Sequence, residues 1–133
     1  MQDISGRLAN CKNRNQGDFP KVLCVCSAGL LRSPSIAFVL SNPPYNCNTR
    51  AAGVEEEYAL ILVDRVLLEW ADIIVCAGEE HVSPIKELLK EFLMENVHLI
   101  YCLGLSDIYE TRDPVLLEQI NLALVREKFT TDL

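Results

Sequence analysis

The chain is predicted to fold as an α/β domain of three layers, with a four-stranded parallel sheet between helices. Three observations lead there. Short apolar runs alternate along the chain with segments of helical period, which is the signature of right-handed crossovers covering both faces of a parallel sheet. Several of those runs are almost continuously apolar, as expected of strands buried on both sides. The 133 residues, half of them hydrophobic, are enough for one domain with a substantial core.

Residues 1–19 are polar and asparagine-rich, without sustained period, and read as an N-terminal arm ahead of a domain spanning 20–133. The first strand is Lys21 to Cys26 (KVLCVC), followed by the loop Ser27-Ala28-Gly29-Leu30-Leu31-Arg32-Ser33. A short helix from Pro34 to Leu40 is expected next, its proline placed where a missing N–H costs nothing, and Asn42-Pro43-Pro44 ends it. Tyr45 to Ala51 reads as the second strand, and Glu55 to Trp70 as a long helix opened by three glutamates. Asp72 to Ala77 (DIIVCA) is the third strand, and Glu80 to Phe92 an amphipathic helix whose Pro84 fits only its first turn. Val97 to Cys102 is the fourth strand. Asp113-Pro114, an N-cap followed by an N1 proline, opens the last helix.

Charge and composition narrow the function classes. Nineteen acidic residues against twelve Lys and Arg give a net charge of −7, the wrong sign for neutralising a nucleic-acid backbone. The uncharged run Val22 to Leu31 is about half the length that spans a bilayer, and no basic segment leading into an apolar run opens the sequence. The reading is of a soluble, cytoplasmic protein without nucleic-acid or membrane partners. The six cysteines come without an export signal and four sit in or beside apolar runs, so no disulfide framework is expected. With Cys24 and Cys26 as the one close pair, neither a zinc site nor a cofactor is expected.

In an open parallel sheet the ligand sits beyond the carboxyl ends of the strands, where the strand order reverses. The loop after the first strand is at that point. It reads Cys26-x5-Arg32-Ser33 between a buried strand and a helix start. A loop of this length curling into a helix can aim successive N–H groups at one anion, with Gly29 supplying the left-handed conformation the curl needs. A cysteine at its mouth is expected to ionise below the ~8.5 of a free thiol. Arg32 is placed to clamp two phosphate oxygens, and Ser33 to donate to the sulfur. A cation at the positive end of a helix implies a compensating anion. These parts suit phosphoryl transfer through a phosphocysteine.

The leaving group then needs a proton donor from a loop on the same edge. Asp107 and Asp113 are both candidates. Asp113 already has a duty as an N-cap, whereas Asp107 has none evident, which favours Asp107. His81 and His98 read as surface or structural residues, and Cys24, Cys76 and Cys102 as core.

The segment VLCVCSAGLLRSPS resembles the signature of the low-molecular-weight protein tyrosine phosphatases, in particular a compact bacterial subgroup. Ala51-Ala52-Gly53, Trp70-Ala71-Asp72 and Ser106-Asp107-Ile108-Tyr109 resemble further family segments in the right order. The similarity, which runs over roughly residues 20–125, implies a sheet in strand order 2-1-3-4 with the phosphate-binding loop after strand 1. The resemblance implies Cys26 as nucleophile, Arg32 as phosphate clamp, Asp107 as general acid and Tyr109 flanking an aromatic substrate, either a phosphotyrosine protein or a small aryl phosphate. The chain departs from the family pattern at Gly29, Leu31 and Ile108, where the family usually has Asn, often Cys, and Pro. Three other functions fit a loop of this kind: a phosphotyrosine-binding module without turnover, an arsenate reductase needing two further reactive cysteines, and a cysteine-phosphorylated sugar-phosphotransferase carrier, whose loop lacks the arginine.

Overall fold

The structure, a computed structural model, describes residues 19–27, 32–57, 59–95, 97–105 and 113–131. The N-terminal arm, apart from Phe19, lies outside the described residues, as do Ala28 to Leu31, Asp107 and Tyr109.

Four parallel strands, β1 (Lys21–Cys26), β2 (Asn48–Gly53), β3 (Ile73–Cys76) and β4 (Leu99–Cys102), form one sheet in the order β2-β1-β3-β4. The helices are α1 (Arg32–Ser41), α2 (Arg65–Trp70), α3 (Val82–Glu91) and α4 (Pro114–Arg126), with a single 3-10 turn, Glu79–His81, leading into α3. Alternation along β1 divides the core. Val22, Cys24 and Cys26 pack with Ile36, Leu40, Leu116, Ile120 and Leu124 of α1 and α4 on one face. Leu23 and Val25 pack with Leu67, Leu68, Ile85 and Leu89 of α2 and α3 on the other. The sheet is therefore covered on both sides, and this is why β1 carries an unbroken apolar run.

Two expected elements are corrected. The second strand begins at Asn48 rather than Tyr45, because the amides of Tyr45 and Asn46 both donate to the Asn42 carbonyl and that of Cys47 to Leu40. These donors are spent closing the end of α1, and Asn48, bonded to the Pro20 carbonyl, is the first residue of the ladder. The expected helix Glu55 to Trp70 is instead a loop followed by the short α2. The chain after β2 folds back on itself: the Gly53 amide donates to Ile61, the Val63 amide to Gly53, and Leu62 bridges Gly53. Asp64 then starts α2 as an N-cap, accepting from the Leu67 amide at 2.9 Å. Leu60, inside the span expected to be helical, is three-quarters exposed.

Smaller shifts occur elsewhere. The ladder of β4 begins at Leu99 opposite Ile73, two residues later than the apolar pattern suggests. Asp72 lies just outside β3 and holds the Lys21 amide with its side chain. Pro84 sits in the first turn of α3, where its spacing had placed it.

Candidate active site

Parallel pairing in register brings four strand ends to one edge. Cys26 lies beside Gly53, and Val25 beside Cys76, so the chain leaving β1 is flanked by the loop after β2 and the turn after β3. Main-chain bonds extend the arrangement beyond the strands. The Val54 amide donates to the Cys26 carbonyl and the Glu55 amide to the Ser27 carbonyl, both at 3.0 Å. On the other side the Ala77 amide donates to Val25 and the Leu105 amide to Ala77.

Cys26 is buried at the end of β1, on the face toward α1. Its sulfur lies 3.2 Å from the hydroxyl oxygen of Ser33, which sits in the first turn of α1. The seven loop positions singled out in the sequence thus divide: Ser27, Arg32 and Ser33 surround the sulfur's end of the sheet, and Ala28, Gly29, Leu30 and Leu31 are outside the described residues.

Arg32 opens α1 and is 5% exposed. A guanidinium at that depth requires partners, since an uncompensated charge is costly away from water. Its Nη1 donates to the carbonyl oxygen of Leu105 at 3.1 Å and to the Glu80 carboxylate at 3.4 Å. Glu80 supplies the anion that a cation at a helix start calls for. Its carboxyl is held below the ordinary value of 4.5, first by its own backbone N–H and also by the Arg32 guanidinium. Among the described residues both Arg32 contacts use Nη1, so the remaining edge of the fork is the one suited to two oxygens of a phosphate.

His81 is fully buried at the same edge, which its sequence context did not reveal. Its Nδ1 accepts from the Gly78 amide at 3.0 Å, and its Nε2 lies 3.1 Å from the Ser27 hydroxyl oxygen and 3.6 Å from Glu80. A signal for both Glu80 and His81 was present, since they directly follow a predicted strand at its carboxyl end.

The acid candidates part company here. Asp113 is engaged as the N-cap of α4, its Oδ1 accepting from the Val115 amide at 2.8 Å with Pro114 following at N1. Asp107 lies outside the described residues. Of the other described cysteines, Cys24, Cys47 and Cys76 are buried in the core, whereas Cys102, expected there, is only half-buried. Burial raises the thiols of Cys47 and Cys76 to about 12 and pushes that of Cys24 well above 9.0. Burial also raises Cys102.

No family model and no curated protein matches the sequence. Solved structures do match. A YwlE mutant from Bacillus subtilis superposes with a TM-score of 0.56 at 16% identity, covering 82% of this chain and 95% of that one. Vibrio vulnificus Wzb in complex with benzylphosphonate gives a TM-score of 0.55 at 16% identity, over 84% and 99%. The four-stranded sheet in order 2-1-3-4 is thus an α/β fold shared with both of these structures. At this identity the likeness establishes the fold.

Proposed function

We propose that the chain is a cysteine-dependent phosphatase that hydrolyses phosphotyrosine or other aryl phosphate monoesters, acting in the cytoplasm. The observation that carries this reading is the meeting of Cys26, Ser33 and Arg32 at the carboxyl end of β1, with sulfur and hydroxyl 3.2 Å apart. A fold shared with a protein that holds benzylphosphonate, an aryl-bearing phosphate mimic, supports the substrate class.

The chemistry follows from the charges. The Cys26 thiolate attacks phosphorus in line, a sulfur–phosphorus bond forms, and the bond to the phenolic oxygen breaks. Arg32 and the amides of Ser27 to Ser33 stabilise the equatorial oxygens, while Asp107 gives its proton to the departing phenolate. Water, giving a proton to the Asp107 carboxylate, then attacks the phosphocysteine. The sulfur–phosphorus bond breaks to return phosphate and the thiolate, with the Ser33 hydroxyl donating to the sulfur as it leaves. Tyr109 flanks the aromatic ring of the substrate.

A disulfide relay of the arsenate-reductase kind is less well supported, because Cys76 is a buried thiol and both it and the half-buried Cys102 are shifted against ionisation. A carrier role is disfavoured by Arg32, and a binding module without turnover is the reading to test against. The experiment is release of phosphate from p-nitrophenyl phosphate by the wild type, Cys26→Ser and Arg32→Ala. Turnover by the wild type with near-complete loss in both variants is expected. Binding without turnover by the wild type would leave a recognition module.

A further inference from the structure

The turn after β3 touches the phosphate loop through a side chain that the reaction above does not use. We propose that His81 is a positioning residue for the nucleophile: its imidazole, fixed as the Nε2–H tautomer, holds the Ser27 hydroxyl and with it the first residue beyond Cys26. The proposal rests on the phosphatase reading and adds a residue to its machinery.

The tautomer follows from the partners. A backbone N–H can only donate, so Nδ1, 3.0 Å from the Gly78 amide, is the unprotonated acceptor. A neutral ring then carries its proton on Nε2, which donates to Ser27 Oγ at 3.1 Å. The ring is wholly buried, so its orientation is set by these two bonds and by packing, and water does not compete for it.

Ser27 is thus held from both flanks. Its carbonyl receives the Glu55 amide from the loop after β2, and the preceding carbonyl of Cys26 receives the Val54 amide. Its side chain is held from the opposite flank, by a residue 54 positions away on the turn after β3. Attack on phosphorus depends on where the sulfur points, and a displacement of about 1 Å at such a site costs on the order of 10²-fold in rate. A histidine serving only to close the Gly78 turn needs Nδ1 alone. The bond to Ser27 is surplus to that duty, and it reaches the residue next to the nucleophile.

Two substitutions separate the roles. The side-chain oxygen of Asn falls near the position of Nδ1 and can accept from the Gly78 amide but does not reach Ser27. The amide nitrogen of Gln falls near Nε2 and can donate to Ser27. With p-nitrophenyl phosphate, His81→Asn is expected to lose about 10- to 100-fold in kcat while its Tm stays near the wild type's. His81→Gln should recover most of that loss, and Ser27→Ala combined with His81→Asn should fall little below His81→Asn alone. Ring 15N spectra at neutral pH should show Nε2 protonated, with its signal displaced in Ser27→Ala. If the Asn variant keeps wild-type kcat, or the Gln variant falls as far as Asn, the positioning role is wrong while the phosphatase reading stands. If the wild type itself releases no phosphate, that reading fails. Calorimetric affinity for inorganic phosphate then decides the role of His81: weaker in Asn than in Gln supports it, and equal affinity overturns it.

Discussion

The guanidinium of Arg32, at the start of α1, and the carboxylate of Glu80, in the turn after β3, meet 3.4 Å apart across 48 residues of sequence. The two side chains differ sharply in exposure, Arg32 being 6% and Glu80 59% accessible. Glu80 therefore holds the Arg32 guanidinium from the solvent side, and under the proposed phosphatase reading it also sets a negative charge beside the bound phosphate.

Replacing Glu80 by Gln removes that charge and keeps a group able to accept from Arg32. Binding of inorganic phosphate should tighten by about three- to ten-fold at low ionic strength, read by calorimetry, and the gain should shrink as salt is added. Unchanged affinity at every salt concentration would mean that the two anions do not share a field.

The same pair has a pH signature. The carboxyl of Glu80 lies below its ordinary value of 4.5 in the folded protein, so its contribution to stability is present above that value and fades as pH falls through the lowered one. The Tm of Glu80→Gln should thus trail the wild type at pH 7 and converge with it in strong acid. The gap at pH 7 will be small, because Glu80 is mostly exposed and its charge is screened.

The sequence disclosed the alternation of buried strands and helices, and the loop, because both follow from local pattern. KVLCVC reads as a doubly buried strand, and Cys26, Arg32 and Ser33 share one short segment, whereas the strand order rested on the family resemblance. It did not disclose the fold-back after β2. The spacing of Leu60, Val63 and Leu67 suits a helix, and only the long-range bonds from Gly53 to Ile61 and Val63 override it. Glu80 and His81 were hidden for a related reason. Their partners, Arg32 and Ser27, are about fifty residues away, and a helix start rich in glutamate has an ordinary solvated explanation.

The two aspartates should respond oppositely to loss of charge. Asp113 caps α4 through its bond to the Val115 amide, and Asn caps helices about as well. Asp113→Asn should keep both activity and stability, while Asp113→Ala should cost about 1 kcal/mol of stability by chemical denaturation. Asp107→Asn, as loss of the general acid, should lower kcat by about 10²–10⁴-fold with aryl phosphates. A larger kinetic loss at Asp113 than at Asp107 would exchange their roles.

Buried thiols give a last prediction, at the alkaline end. Cys47 and Cys76 ionise near 12 in the folded chain because of burial, against 9.0 for an ordinary thiol. A folded-state value raised in this way contributes stability in full below pH 9, and that contribution is lost as pH climbs toward 12, where the unfolded chain releases protons that the folded one retains. Each such thiol steepens the fall in stability by up to about 1.4 kcal/mol per pH unit within that window. Denaturation of Cys76→Ala between pH 8 and 11 should show a lower starting stability, from the lost packing, but a shallower slope than the wild type. Parallel slopes would mean that the Cys76 thiol ionises at its ordinary value and that its burial is breached in solution. Alkylation checks the same property from another side: iodoacetamide at pH 7.5 should leave Cys24, Cys47 and Cys76 unmodified in the native protein, while inorganic phosphate slows whatever modification occurs at Cys26.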